Sequence, residues 1–375
     1  MTSPNRIDVR PMVPEDFPAI DRLMERVWFA RRSAEGFDWL CHRNPGQAGC
    51  VTGWVAEDRD GIVRAFLGNF VQRGWQRGQE NLIASGYNFV SDADQGGRAV
   101  NVLRACLKQE SIALVHTLTA NPFSGRLHTA MRLTPYPETG TLKLDWMTQP
   151  LVAVTGAISW RAHGLLKQKY IRRFPDIPRR APDVNAWLAE ADGDVVRIEH
   201  PEGDVRLAAF DAELRKGERL FAERSPAALH WRLNDPDDPV PPVLAAYPST
   251  GAIRGLAMFQ FNKPSEGEPP YLDVIDLVSL DPEDSAAIQA LMKTGMTLAV
   301  RSGAARLRLA MVPPGLLKLL GSFANRARKT VSQYSHAFYK PKATTFDCTL
   351  ETWQPLPFDG DNGPCLRAWR VRQPK

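Results

Sequence analysis

YNFVSDADQGGRAVNVLRAC, residues Tyr87–Cys106, reads as a strand, a turn built on the adjacent glycines Gly96 and Gly97, and a helix. Such a turn has two uses. Glycines at a helix N-terminus let an anion approach the backbone N–H groups, where the helix dipole favours negative charge. Alternatively, Asp94 caps the helix and the glycines only turn the chain.

The surroundings of this turn recur along the chain. Phe37–Phe70 aligns with Leu229–Phe261, so that Trp39 falls on Trp231, Asn44-Pro45 near Asp235-Pro236, and the turn glycine Gly61 on Gly251. NFVSDAD (Asn88–Asp94) aligns with DLVSLDPED (Asp276–Asp284), and IALVHTLTANP (Ile112–Pro122) with ARLRLAMVPPG (Ala305–Gly315). The offset stays at about 190 residues, which reads as two copies of one unit. The boundaries expected are 1–150 for the first copy, 151–190 for a basic, helical and Pro-rich linker, and 191–375 for the second.

Both copies show the same order of elements. In the first, a short strand precedes a helix from Pro14 to Phe29 with apolar residues at helical spacing, and a short helix carries Phe37 and Trp39. Strands at Val51–Glu57, Ile62–Trp75 and Asn81–Val90 are joined by turns that suit antiparallel hairpins. A helix over Gly97–Glu110, a buried strand Ile112–Leu118, a helix Pro122–Leu133 and a strand Thr141–Met147 complete the copy. The second copy supplies strands at Val243–Tyr247, Ile253–Phe261 and Tyr271–Ser279, a helix Glu283–Ser302, a strand Ala305–Val312, a helix Gly315–Ala327, and strands at Gln333–Tyr339 and Leu366–Val371.

Composition excludes several classes. Of the 375 residues, 43% are hydrophobic and 24% charged, which are ordinary globular proportions. No apolar run reaches the ~18 residues of a membrane span, and the first residues carry no apolar export segment, so a cytoplasmic location is expected. Five cysteines without CxxC spacing point to a reduced protein without a metal. There is no P-loop, no GxSxG, no HExxH and no GxGxxG. DGDNG (Asp359–Gly363) lacks the spaced ligands and final Glu of a calcium loop and reads as a turn. The net charge of +5 is concentrated in Arg161, Lys167, Lys169, Arg172, Arg173, Arg179 and Arg180, opposed only by Asp176.

Three antiparallel strands, a helix, a parallel strand, a helix and a final strand resemble the GNAT acyltransferase superfamily, and a tandem pair covers nearly the whole chain. The fold this implies is α+β: two tandem GNAT-like mixed-sheet domains with helices on both faces. The resemblance implies acetyl-CoA or another acyl-CoA as substrate, its pyrophosphate held by Gly96, Gly97, Arg98 and Ala99, with Gly97-Arg98-Ala99 matching the end of the family's Q/R-x-x-G-x-G/A turn. Asp94 stands where that pattern has Gln or Arg. Pantetheine would pair with the strand around Phe89 and Val90, and Asn121 and Ser124 would lie near the leaving thiolate. For Asn121 and Ser124 the alternative is that they cap the helix beginning at Pro122.

Acyl transfer to an amine needs a base for the amine and a proton for the sulfur. Glu80, His116 and Tyr136 are the catalytic candidates, with Asp92 as a further carboxylate. The second copy's turn, SLDPEDSAAIQALM, has no glycine and places Asp281, Glu283 and Asp284 at its helix start. It is a good helix start and a poor anion site, so acyl-CoA is expected in the first copy alone. The acceptor expected is a small metabolite, amino sugar or amino acid. Two alternatives stay open. Peptidoglycan-bridge aminoacyl transferases also pair GNAT-like domains and take aminoacyl-tRNA, whose phosphates the Arg161–Arg180 cluster could meet. A non-catalytic binding protein on degenerate acyltransferase domains is the other.

Overall fold

The structure is a computed structural model and describes residues 8–25, 27, 32–47, 49–92, 96–136, 141–166, 194–238, 240–263, 268–342, 347–349 and 351–364. In chain order the first half contributes β1 (Asp8–Pro11), α1 (Phe17–Glu25), α2 (Ala34–Cys41), β2 (Gly53–Glu57), β3 (Val63–Gln76) and β4 (Gln79–Ser91). It continues with α3 (Gly96–Leu107), β5 (Ile112–Thr117), α4 (Pro122–Ala130), β6 (Thr134–Pro135), β7 (Leu142–Met147) and α5 (Pro150–Leu166). The second half runs β8 (Val196–Arg197), α6 (Val205–Lys216), β9 (Phe221–Ala222), α7 (Pro226–Leu233), β10 (Val243–Tyr247), β11 (Gly255–Asn262) and β12 (Tyr271–Ser279). After these come α8 (Ser285–Ser302), β13 (Arg306–Ala310), α9 (Pro314–Leu320), α10 (Ser322–Arg326), β14 (Arg328–Val331) and β15 (Phe338–Pro341).

Two mixed sheets result. The first has the order β1-β2-β3-β4-β5-β15-β6, and the second β14-β7-β13-β12-β11-β10-β8. β4 with β5 and β12 with β13 are parallel pairs, while the remaining pairs in both sheets are antiparallel. Both faces of the first sheet are covered, as its strand pattern requires. Val55, Phe66 and Phe70 pack with Ile20, Met24 and Phe37 from α1 and α2, whereas Trp54, Ala65 and Leu67 pack with Val102, Leu103 and Cys106 of α3. On the second sheet α8 covers β10 to β13.

The strand expected at Thr141–Met147 is present, but it lies in the second sheet, where β7 runs between β13 and β14. Conversely β15, from the far end of the chain, lies in the first sheet between β5 and β6. The first half thus lends β7 to the second sheet, and the second half lends β15 and the short β9, which pairs with β3, to the first. The helix expected over Gly315–Ala327 is broken into α9 and α10 at Gly321, whose φ of +50° only glycine adopts readily. The strand expected over Gln333–Tyr339 is replaced by two, β14 and β15, and Leu366–Val371 lies outside the described residues.

The tryptophans matched by the alignment meet one another. Their rings stack with centroids 4.2 Å apart and 12° between planes. Trp39 Nε1 donates to the Trp231 carbonyl at 3.0 Å, and Trp231 Nε1 donates to the Trp39 carbonyl at 3.0 Å. Such reciprocity is the signature of a self-complementary contact about a two-fold axis, here within one chain. Beside it Arg32, buried, holds Asp235 at 3.0 Å.

Strand exchange predicts that the halves do not fold alone. Residues 1–150 and 191–375 produced separately should give poorly dispersed amide NMR spectra, whereas co-expression of 1–190 with 191–375 should restore a native spectrum. An independently folded 1–150 fragment would contradict the exchange.

Candidate active site

β4 and β5 begin as paired parallel strands and then part. Pairing runs from Leu82 opposite Ile112 to Ser85 opposite His116 and stops there. The cause lies on the other edge of β4. Gly68 faces Tyr87 and Phe66 faces Val90, so Asn88 and Phe89 together oppose Leu67 alone. This is a β-bulge, which leaves one residue unpaired and bends its strand. Asn88 takes a φ of +49°, and the Tyr87 ring lies over Gly68, where a Cβ would stand 2.1 Å from it. The bend turns β4 away from β5 and opens a V-shaped slot.

The slot is narrow, about 50 Å³, and is lined by Gly86, Asn88, Phe89, Thr119, Asn121 and Ser124 among others. α3 follows β4 in the chain and lines the slot with Leu103 and Cys106. Gly97 is exposed, and among the described residues nothing stands within 4 Å of the place a Cβ would take on it. Ala99 is buried, Val90 is buried on β4, and Gly96 and Arg98 lie in the first turn of α3. Asp94, the departure from the family pattern, falls outside the described residues.

Asn121 and Ser124 take the capping role considered for them, and they also line the slot. The Asn121 side chain accepts from the Phe123 and Ser124 N–H groups at 3.0 and 2.9 Å, and the Ser124 hydroxyl accepts from the Asn121 N–H at 3.0 Å. They cap α4 and line the slot at once.

The three catalytic candidates are not brought together. Glu80 stands near the far end of the β3–β4 hairpin, exposed beside Arg73 at 3.6 Å, about 20 Å along the strand from Gly86. The Tyr136 hydroxyl donates to the backbone carbonyls of Thr349, at 2.8 Å, and Trp353, and burial pushes its pKa up. It anchors Thr349 and Trp353 and is not among the residues that line the slot. His116 does reach the slot, but burial pulls its pKa down to about 4, and neither ring nitrogen has a partner among the described residues. At neutral pH it is an uncharged imidazole packed edge-on against Trp353. Asp92, the further carboxylate, pairs with Arg64 at 3.1 Å.

The carboxylate that stands behind the slot wall is Asp361, from the stretch read as a turn. It is fully buried. Thr119, in the slot lining, donates its hydroxyl to Asp361 Oδ2 at 3.0 Å, while Oδ1 has no partner among the described residues. Burial pushes its pKa up to about 7, against the opposing pull of the Thr119 hydroxyl. Nothing in the local sequence marks it, because its partners lie more than two hundred residues away, Thr119 at a separation of 242.

Residues 356–364 are held in place by buried cations. Arg224, from the second half, pairs with Asp276 at 2.9 Å and with Asp359 at 3.1 Å, and all three side chains are almost wholly excluded from water. Arg232 donates to the Phe358 carbonyl at 2.7 Å and to Gln72 of β3 at 2.8 Å, and Gln72 donates to the Asp359 carbonyl at 2.8 Å. The segment is thereby pinned between the two sheets.

The second half repeats the bulge but not the site. Met258 faces Asp276 and Phe259 faces Val274, so Ile275 is the extra residue, and β12 and β13 pair over only two positions before parting. The space behind them is about 30 Å³, closed by Leu220, Leu316, Leu319 and Leu356. The N-terminus of α8 already holds its own anion, since Asp284 accepts from the Ala287 N–H at 3.0 Å and pairs with Arg254 at 2.6 Å. Among the described residues no group of three or more His, Cys, Asp or Glu is placed to hold a metal, and no helix is long and apolar enough to cross a membrane. Of the basic cluster only Arg161 is described, exposed on α5.

Neither a family model nor a curated protein matches the sequence. Solved structures do. The chain is similar to a GCN5-related N-acetyltransferase from Anabaena variabilis at 12% identity and TM-score 0.52, over 90% of this chain and 73% of that one. It is similar to Saccharomyces cerevisiae N-myristoyltransferase, solved with bound myristoyl-CoA, at 10% identity and TM-score 0.54, over 100% of this chain and 86% of that one. The chain thus has the GNAT superfamily fold in a two-domain arrangement.

Breaking the Arg224 cluster tests the pinning of the segment. Arg224→Met leaves Asp276 and Asp359 buried without their cation, so urea unfolding should show a loss of about 3–5 kcal/mol.

Proposed function

We propose that the protein is an acyl-CoA-dependent N-acyltransferase acting through the splay between β4 and β5, with a small amine as acceptor. The observation that carries this reading is the conjunction of an open glycine turn at the head of α3, a bulge-opened slot, and a buried, half-satisfied carboxylate at the side of that slot. The repeat units stay as divided in the sequence, 1–150 and 191–375 about a linker at 151–190, with the acyl-CoA in the first.

In this reading the N–H groups of Gly96 to Ala99 hold the pyrophosphate, and the empty space over Gly97 lets it approach. Pantetheine lies in the slot as an added strand beside Phe89 and Val90. The unpaired backbone at the bulge faces the thioester oxygen as negative charge develops on it. Asp361 accepts a proton from the acceptor nitrogen as that nitrogen bonds to the thioester carbon. The carbon–sulfur bond then breaks, and the thiolate takes up a proton from the Ser124 hydroxyl or from water. A pKa near 7 suits a base at neutral pH, and neutral His116 adds no competing charge.

Two variants test the assignment separately. Gly97→Val should leave the fold intact, because no atom of the described residues opposes the new side chain, and should weaken acetyl-CoA binding by about tenfold or more in calorimetry. No heat from acetyl-CoA or a long-chain acyl-CoA with the wild type would remove the cofactor claim and favour a non-catalytic binding protein. Asp361→Asn should lower kcat/KM about 10²–10⁴-fold with acyl-CoA affinity unchanged. The wild-type kcat/KM should rise with pH through about 7 as Asp361 ionises, and the variant should lose that limb.

The same residue has an opposite effect on stability. Its folded pKa stands above the ordinary carboxylate value of about 4, so folding takes up a proton between about pH 4 and 7. Its contribution to stability is full below that window and lost as pH rises through 7. Asp361→Asn should therefore raise the melting temperature at pH 8 while lowering activity.

A further inference from the structure

A second cavity, about 340 Å³, lies on the second sheet on the side where residues 356–364 cross. Its size is that of a small-molecule site, ~300–1,000 Å³, whereas the slot of the first sheet holds about 50 Å³. Its floor is made by β7, β11, β12 and β13, and Pro357 and Asn362 stand at its wall. Asn362 is the chain neighbour of Asp361, so the cavity and the buried carboxylate share one piece of backbone.

Its polar lining is set in one sense. Gln260, 2% exposed, donates its amide N–H to Asp238 at 3.2 Å. Asn262 donates its amide N–H to Asp273 at 2.8 Å. Because each NH₂ group faces a carboxylate, the orientation of each amide is determined, and the oxygens Gln260 Oε1 and Asn262 Oδ1 are left buried with no partner among the described residues. Asp273 is itself locked by Arg308, at 2.6 and 2.8 Å, and the guanidinium stacks 4.2 Å from the Tyr271 ring. Two rigid acceptors without donors are costly unless something supplies N–H or O–H groups.

We propose that this cavity is the acceptor site, and that it takes a small primary amine carrying further hydroxyl or N–H donors, of the amino-sugar or hydroxyamine class. The inference rests on the acyltransferase reading for the word acceptor, but not for the site. The ligand's donors satisfy Gln260 Oε1 and Asn262 Oδ1, and its amine lies toward Asn362, where Asp361 is one residue away. Selection against the amine-free parent follows, because losing a donor returns an amide oxygen to its unpaired state.

The test uses the full-length protein without acyl-CoA. Glucosamine, galactosamine and 2-amino-1,3-propanediol are titrated by calorimetry beside glucose, galactose and 1,3-propanediol. At least one amine should bind, its amine-free parent about tenfold more weakly. Ala310→Phe, which fills the cavity from β13, should weaken that amine about tenfold or more, as should Gln260→Met, while acetyl-CoA affinity stays within about twofold. The proposal falls if no amine binds the wild type, if parent and amine bind equally, or if both variants bind the amine as the wild type does. Amine binding without any acetyl-CoA binding would keep the site and sink the acyl-CoA reading instead.

Discussion

On the far side of its parallel pair, each sheet is continued by a strand that belongs by sequence to the other half: β15 beside β5, and β7 beside β13. A strand next to a splay needs hydrogen bonds on its outer side to stay extended while its inner side parts from its neighbour. β15 supplies those bonds to β5, with Phe338 opposite Thr117 and Tyr339 opposite His116. The slot therefore stands open because the second half braces its wall. The same crossing carries the chain back over the first sheet, and Arg224, Arg232 and Gln72 then fix residues 356–364 beside the slot. Fold, slot and carboxylate placement are consequences of one exchange.

The two halves share the bulge and the parting strands, yet only one splay faces an open helix terminus. In the first half no described residue stands over Gly97 at the head of α3. In the second half Asp284 supplies the negative charge that the terminus of α8 attracts, and leucines fill the space behind the strands. The second half is not inert scaffolding for that reason. It provides Arg224, most of the floor of the larger cavity and the stacked partner of Trp39.

Much of this was legible in the sequence where the signal is local. Alternation and turn residues located β10 and β12 to the residue, and the glycine turn at the head of α3 stood out from its glycine-free counterpart. The alignment paired Trp39 with Trp231, though not their stacking, since a repeat relates residues without saying that they touch. The exchange was not legible. Leu144 and Trp146 alternate inward in either sheet, and nothing in the pattern of β7 names its neighbour. Asp361 was hidden for a similar reason. DGDNG is a turn by composition, and only contacts from the first half and from Arg224 exclude water from it.

The order in which the chain is made gives the exchange a further meaning. β5 is synthesised with one edge bare, and the strand that covers it arrives only after β8 to β14. Until then the first sheet offers an unpaired, wholly buried-type strand to any passing segment, a known route to misassembly. The carboxylate beside the slot comes later still. A chain cut short before β15 would thus carry a glycine turn and half a slot, and would present its sticky edge to the cell's proteases and chaperones. One cut between β15 and Asp361 would have the edge covered but lack the carboxylate that Thr119 holds.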